Sequence, residues 1–576
     1  MIDMRHPRNV AATVALLAAT LPSGTVAGEG EGGAPAAPSA LFATSDRCLA
    51  CHNGMTTTSG EDVSIGSAWR ASIMANAARD PYWQAAVRRE VADYPAATTL
   101  IQDECAACHA PMARFQAHAG GQKLEVFSRL GAGPRGVNGD PLALDGVSCS
   151  LCHQLQNDGT TLEHDGDFKI DTSRPWGARL VFGPYDLPAH RADVMASATA
   201  LRPARAGNLQ RSELCSTCHT LYTTPLASSG VGGAAGPAPA RFPEQVPYLE
   251  WRASAYASEK TCQACHMTFT TEPAPAASVL GEPRPRLARH GFQGANFFML
   301  AMLERYRGEL GVVALPQELS LSRQRTLELL RTSAASLSIA RAELRGGALE
   351  VEVAVTNTAG HKLPTAYPSR RVWLRFAVFD DGGRPLFSSG ALRPDGSIEG
   401  NDNDRDPLAF EPHHRVIDGP EQVQIYESIM LDPQGRVTTG LLTATRYGKD
   451  NRLLPRGLDK ATAGADFAVR GDASDDPDFV GGGDRVVYRA RLPEGASGPY
   501  RIEVELLYQP IAFRWAQNLN PYGALAEPAR FIRYYRALSP GSATTLAAVD
   551  ARFSRPTMTT PVTTPSAKNA RVHEER

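Results

Sequence analysis

Every cysteine of this chain lies in the same short motif, Cys-x-x-Cys-His. In this motif the two thiols attach to the vinyl groups of a haem, and the histidine binds one face of its iron. Five copies with no cysteine left over predict five covalently attached c-type haems. The predicted attachment residues and proximal iron ligands are Cys48, Cys51 and His52; Cys105, Cys108 and His109; Cys149, Cys152 and His153; Cys215, Cys218 and His219; and Cys262, Cys265 and His266.

Other uses of cysteine fit this pattern poorly. A disulfide framework gives no reason for a histidine after every second cysteine. A zinc ribbon closes one tetrahedral site with paired Cys-x-x-Cys units, which leaves the five histidines unexplained. A thioredoxin-like redox motif occurs once in a domain rather than five times.

The N-terminus has the features of a secretory leader. Arg5 and Arg8 precede an apolar stretch from 10 to 21, and Thr25-Val26-Ala27 is a suitable cleavage site. The apolar stretch is shorter than the about 20 residues that cross a bilayer, and no later segment is long and apolar enough. The prediction is a signal peptide over 1–27, export to the periplasm or cell surface, and no transmembrane segment after leader removal. The alternative is an uncleaved membrane anchor.

The pattern of the sequence changes after the last motif. Asp80 and Pro81 predict the start of a helix that runs to Val91. Helical spacing continues in 294–306 and 316–335, whereas 348–355, 372–379 and 500–506 alternate with the period of strands.

The predicted fold class is α+β multidomain: a mainly helical, loop-rich multihaem domain followed by an antiparallel β-sandwich. The predicted segments are a signal peptide (1–27), a flexible linker (28–40), a pentahaem domain (41–300), a helical bridge (301–335), a β-sandwich (336–545) and a disordered tail (546–576).

A low-spin haem needs a sixth ligand, usually histidine or methionine. For each candidate histidine the alternative is a side chain that binds no metal. Methionines near the motifs (Met55, Met74, Met112 and Met267) serve equally well as core fillers. The candidate distal ligands are His290, His118, His164, His190 and His361.

His361 lies in a loop rich in Gly, Pro and charge between two predicted strands. Such a loop between otherwise plain strands is typical of a functional segment. Ligation of a haem by His361 would join the two domains. The alternative is a turn that packs on the haem domain, with Arg370 and Arg371 pairing haem propionates. The acidic stretch 401–406 before His413 and His414 is interpreted as a solvated loop, with calcium binding as the alternative.

Several segments around the motifs resemble bacterial multihaem cytochromes of the cytochrome c-552/c-554 class. They include Cys105-Ala-Ala-Cys-His-Ala-Pro-Met, Asp145-Gly-Val-Ser-Cys-Ser-Leu-Cys-His-Gln, Ser212-Glu-Leu-Cys-Ser-Thr-Cys-His and, further on, Gly360-His-Lys-Leu-Pro-Thr. The resemblance implies electron transfer through closely packed haems in the cell envelope. Related enzymes carry a lysine ligand from a Cys-x-x-Cys-Lys motif, which this chain lacks.

The leading hypothesis is an exported pentahaem cytochrome that transfers electrons to redox partner proteins of the cell envelope. The alternative is an oxidoreductase with one open-coordination haem acting on a small nitrogen or sulfur compound, whose catalytic residues the sequence does not identify. In a third hypothesis the sandwich binds a surface partner or polysaccharide. The formal charge of −2 shows no basic excess, so a nucleic acid partner is not expected.

Overall fold

The computed structural model describes residues 40–131, 139–156, 164–226, 240–496 and 498–554. The predicted signal peptide, nearly all of the linker and the end of the predicted tail lie outside these residues. Within them, the protein combines α and β structure. The helices are α1 (Asp46–Leu49), α2 (Ile65–Arg70), α3 (Pro81–Asp93), α4 (Thr98–His109), α5 (Pro111–Ala119), α6 (Val126–Arg129), α7 (Pro141–Leu144), α8 (Cys149–Cys152), α9 (Ala189–Thr199), α10 (Glu213–Ser216), α11 (Pro247–Arg252), α12 (Cys262–His266), α13 (Phe297–Arg305), α14 (Pro316–Ser333), α15 (Asp402–Arg405), α16 (Phe513–Gln517) and α17 (Ala526–Leu538).

Each of the five motifs begins in a helix: α1, α4, α8, α10 and α12. Residues three and four apart lie on the same face of a helix. The spacing Cys-x-x-Cys-His therefore turns both thiols and the imidazole of one motif toward one side, where a single flat group can meet all three.

The start of α3 confirms the predicted cap. The carboxylate of Asp80 accepts hydrogen bonds from the backbone N–H groups of Tyr82 and Trp83, and Pro81 occupies the first helical position. These contacts satisfy N–H groups that have no partner inside the helix. The helix packs against α4, which carries the second motif.

Strands occur from residue 179 onward, and among the described residues all strands longer than five residues follow residue 334. The strands are β1 (Arg179–Gly183), β2 (Leu201–Arg205), β3 (Leu221–Thr223), β4 (Phe242–Gln245), β5 (Ala274–Pro275), β6 (Pro283–Arg284), β7 (Ala335–Arg345), β8 (Ala348–Asn357), β9 (Arg371–Phe379), β10 (Pro385–Ser389), β11 (Val416–Ile417), β12 (Ile425–Tyr426), β13 (Ser428–Leu431), β14 (Val437–Thr438), β15 (Arg446–Asp450), β16 (Gly483–Arg491), β17 (Tyr500–Gln509) and β18 (Thr544–Phe553).

Two larger sheets contain most of the long strands. One has the order β10-β9-β17-β18, with β12 also paired to β9, and the other has the order β11-β16-β8-β7. Phe376 of the first sheet stacks on Tyr488 of the second, with ring centroids 4.1 Å apart. The predicted alternation explains this packing, because every second residue of β8 is buried in the shared core.

Gly346 and Gly347 form the turn between β7 and β8. Both residues have positive φ, at 53° and 81°. Glycine adopts this conformation without the steric penalty that a side chain would bring, and it suits a two-residue hairpin turn.

The last strand extends past the predicted sheet boundary at residue 545. β18 pairs with β17 from Thr544 to Phe553, and Leu546 and Phe553 are buried. Ala547, Ala548 and Ala551 are small and Asp550 and Arg552 are charged, so this strand has fewer large apolar residues than β8. Pairing along β17 stabilises it in spite of this composition.

The C-terminal half packs directly on α3, which lies beside the motif helix α4. Tyr82 of α3 contacts Phe531 of α17 at 5.0 Å between ring centroids, and Arg88 of α3 pairs with Glu527 at 2.8 Å. The described residues belong to one compact unit. None of the described helices has the length and apolar character needed to cross a bilayer.

Candidate haem-binding sites

All ten motif cysteines are free thiols, so none is used in a disulfide. The thiols and imidazoles of the motifs also do not form zinc-like clusters. Among the described residues, the one group of three or more Cys, His, Asp or Glu ligand atoms that converge is His413, Asp476 and Asp484, which contains no motif residue. The donor set therefore fits covalent attachment to a flat group better than tetrahedral metal binding.

Four of the five motif histidines are oriented by backbone carbonyl groups. Nδ1 donates to a carbonyl oxygen, as is usual for histidines that bind a metal through Nε2. The pairs are His52 with Ala276 (2.6 Å), His109 with Ala77 (2.8 Å), His153 with Phe182 (2.6 Å) and His266 with Gln293 (2.6 Å). Among the described residues, the ring of His219 has no such partner.

Two motif histidines face a second histidine. The ring centroids of His153 and His290 are 6.4 Å apart with an interplanar angle of 16°, and those of His266 and His361 are 6.2 Å apart at 15°. Two imidazoles bound to opposite sides of one metal ion, at about 2 Å each, have ring centroids about 6 Å apart. Both pairs therefore have the separation of axial ligands that share one iron.

The two outer histidines have the same local arrangement as the motif histidines. Nδ1 of His290 donates to Ala288 at 3.0 Å, and Nδ1 of His361 donates to Lys362 at 2.9 Å. Burial lowers the pKa of His290 to about 4, and it also lowers the pKa of His361. At neutral pH both rings are neutral imidazoles, the form that binds metals.

The other three candidate distal ligands lie elsewhere. Nε2 of His118 is 2.8 Å from the carboxylate of Asp103, and Nδ1 of His164 is 2.7 Å from that of Asp165. His190 is exposed at the start of α9. None of the three is stacked opposite a motif histidine among the described rings, and their role as ligands stays a prediction.

The five motifs are in contact with one another. Three pairs of thiols from different motifs lie close together: Cys48 with Cys149, Cys108 with Cys218, and Cys215 with Cys262. Cys152 lies close enough to Cys215 and Cys218 to affect their pKa values. The motifs thus follow the spatial order first, third, fourth, fifth, and the second joins the fourth.

Trp83 contacts a motif histidine although its sequence position gives no sign of this. Its ring stacks on His109 with centroids 4.3 Å apart and an interplanar angle of 4°. Trp83 is buried on α3, whereas His109 ends α4. The Trp83 ring covers one face of the imidazole, whereas the hydrogen bond to Ala77 lies at its edge. The stacking therefore adds a second restraint on rotation of the His109 ring.

The two arginines near His361 have different environments. Arg371 is buried against Asp404, with Nη1 and Nη2 donating to the two carboxylate oxygens at 2.8 and 3.0 Å. Asp404 thereby belongs to a buried ion pair rather than to the solvated loop predicted for 401–406. Arg370 donates to the carbonyl oxygen of Thr365 and lies near His219.

The His413 cluster has the composition of a metal site but the hydrogen bonds of a structural network. Nδ1 of His413 accepts from the amide groups of Gln424 (2.9 Å) and Asn451 (3.1 Å), and Nε2 donates to Asp476 (3.1 Å). A metal on Nε2 would leave a proton on Nδ1, facing two donors. The cluster is therefore satisfied without an ion.

Asp484, in the same cluster, will make the stability of the protein depend on pH. Burial raises the pKa of Asp484 from 3.8 to about 7. Between these values the unfolded chain is ionised while the folded one stays protonated, so stability falls as pH rises from 4 to 7, by about 4 kcal/mol at most. The free energy of unfolding in urea should fall less between pH 5 and pH 8 for Asp484→Asn than for the wild type. An equal loss in both proteins would contradict this prediction.

Comparisons with known proteins give one similar structure. A penta-heme cytochrome c552 from Thermochromatium tepidum has 16% sequence identity and a TM-score of 0.48 to this chain, over 89% of this chain and 100% of that chain. No family model and no curated protein matches the sequence.

Proposed function

We propose that this chain is an exported c-type cytochrome that carries five covalently bound haems and transfers electrons between them. The observation that carries the proposal is the pairing of His153 with His290 and of His266 with His361 at the separation of two axial ligands. In both pairs the Nδ1 of the motif histidine is held by a carbonyl group, which leaves its Nε2 for the metal.

The residues of the chain have distinct parts in this function. The motif cysteines attach the haems, and the motif histidines bind the proximal side of each iron. His290 and His361 are the distal ligands at the third and fifth motifs. Haem iron supplies one-electron redox chemistry when bound, at a potential that its axial ligands and surroundings set.

Contacts between the motifs support transfer within one chain. Thiols of neighbouring motifs lie close together. Haems held by these cysteines would supply neighbouring redox centres within one chain. In this proposal the two sheets of the C-terminal half form the predicted β-sandwich, which supplies a ligand to the haem domain and also supports it.

The proposed location follows from the leader over 1–27 and from the site of haem attachment. Covalent attachment takes place outside the cytoplasm, so the cell envelope is where donor and acceptor proteins would meet this chain. The partners are redox proteins of the periplasm or cell surface.

The proposal is tested by counting haems and their spin states in the protein purified with its cofactors. The mass of the denatured chain should exceed that of the cleaved polypeptide by five haems. The EPR spectrum of the oxidised protein should contain low-spin signals for at least two irons. A chain without covalently bound haem would contradict the proposal.

A second candidate function is catalysis at an iron with an open side. Among the described residues, no histidine ring lies opposite His52, His109 or His219 at ligand separation. A high-spin EPR signal that shifts on addition of nitrite, hydroxylamine or a sulfur oxyanion would favour an oxidoreductase. Low-spin signals for all five irons would exclude it and leave electron transfer.

A further inference from the structure

We infer that a buried network of four charged side chains positions His361 as the distal ligand of the fifth motif. The network consists of Glu250, Lys362, Asp450 and Arg452. This inference rests on the proposed function, because it concerns how one of the proposed iron ligands is held. These are positioning residues: they contact the His361 loop and not the metal.

The network joins three separate parts of the chain. Arg452 donates to both carboxylate oxygens of Asp450 at 2.8 Å and to Glu250 at 2.9 Å. Lys362, the residue after His361, donates from Nζ to Asp450 at 2.7 Å and from its backbone N–H to Glu250 at 3.2 Å. Side chain and backbone of Lys362 are thus both fixed.

The charges of the network balance, and water has little access to them. Two carboxylates face one ammonium and one guanidinium group. The four side chains are between 0% and 8% exposed. Removing one charge from such a group leaves its partner buried and unpaired, which is strongly unfavourable. The position of Lys362 is therefore tied to the integrity of the whole network.

Neutral hydrogen bonds hold the backbone on both sides of His361. The amide group of Asn357 donates to the carbonyl oxygen of His361 at 2.9 Å. Ser254 donates to Gly360 at 3.0 Å, and Tyr256 donates to Thr358 at 3.0 Å. Because Ser254 and Tyr256 follow α11, which carries Glu250, the same segment that precedes the fifth motif fixes the loop that brings its second ligand.

A second ion pair joins the same two parts of the chain without contacting the His361 loop. Arg456 pairs with Glu259 at 2.6 Å, and their side chains are 54% and 42% exposed. Glu259→Gln is therefore a matched control for Glu250→Gln. Each variant removes one carboxylate charge, but only one of the two carboxylates contacts the residues that flank His361.

The experiment compares four variants with the wild-type holoprotein: His361→Ala, Glu250→Gln, Thr365→Val and Glu259→Gln. Thr365 donates its hydroxyl to Glu250, so the valine variant weakens the network without changing charge and serves if Glu250→Gln does not fold. The measurements are the high-spin EPR signal of the oxidised protein and the amount of CO bound by the reduced protein. Both are expressed as added irons per chain relative to the wild type.

We expect one added open iron for His361→Ala, a smaller fraction of one iron for Glu250→Gln and Thr365→Val, and no change for Glu259→Gln. Imidazole added to the His361→Ala and Glu250→Gln proteins should restore the low-spin signal. If His361→Ala opens an iron but Glu250→Gln and Thr365→Val resemble the control, the inference is overturned and the proposed function stands. If His361→Ala changes nothing, the ligand assignment fails and the inference fails with it.

Discussion

Replacing His290 by alanine is expected to convert one iron in five from low-spin to high-spin. His290 lies opposite His153 at ligand separation, and its Nδ1 is already used by the carbonyl group of Ala288. Alanine cannot bind iron. His52 also lies near this pair, but it belongs to the first motif, and its Nδ1 is held by the carbonyl group of Ala276. The change is measured by integrating the high-spin EPR signal of the oxidised holoprotein against total iron, and by CO binding after reduction.

His118→Ala is the matched control for this prediction. His118 was also a candidate distal ligand, but its Nε2 lies against the carboxylate of Asp103. Its removal should leave the number of high-spin irons unchanged. If His118→Ala opened an iron and His290→Ala did not, the ring geometry would be a poor guide to ligation in this protein.

Replacing Arg371 by methionine is expected to destabilise the C-terminal sheets by about 3–5 kcal/mol. Arg371 and Asp404 are 1% and 2% exposed, and the guanidinium group also donates to Gln509 and to the carbonyl oxygen of Gly396. Methionine fills a similar volume but leaves the Asp404 carboxylate buried without its cation. Urea unfolding followed by tryptophan fluorescence gives the free energy of unfolding.

An exposed ion pair in the same half of the chain provides the comparison. Arg384 pairs with Asp380 at 3.1 Å, but its side chain is 70% exposed. Arg384→Met should cost no more than about 1 kcal/mol, because water screens such pairs. The double variant Arg371→Met with Asp404→Leu should recover much of the loss. Equal losses for the two single variants would show that burial does not decide the contribution of Arg371.

The sequence predicts those features that depend on neighbouring residues. The motifs specify the attachment sites, Asp80 and Pro81 specify the start of α3, and the alternation over 348–355 specifies β8. These follow from helical and strand periodicity and from capping, which operate over a few residues. They account for the α+β composition and for the positions of most long elements.

Contacts between residues far apart in the chain cannot be predicted from local sequence patterns. The sequence favours His290 over His118 as a distal ligand but cannot identify the partner of either, and the partners are His153 and Asp103. The stacking of Trp83 on His109 joins two helices, and no local sequence pattern predicts it. β18 was missed in part because its neighbour β17 contributes stability that its own sequence lacks.

The position of His361 in the chain has a consequence for biogenesis. Synthesis proceeds from the N-terminus, so the third centre has both of its proposed ligands once His290 has been made. The fifth centre is complete only after the C-terminal strands have been made, since Asp450 and Arg452 belong to the network proposed to hold its second ligand. A truncated chain that ends before β15 would therefore lack the residues that hold His361, and the proposed fifth centre would lose its second ligand even though both of its ligand histidines are present.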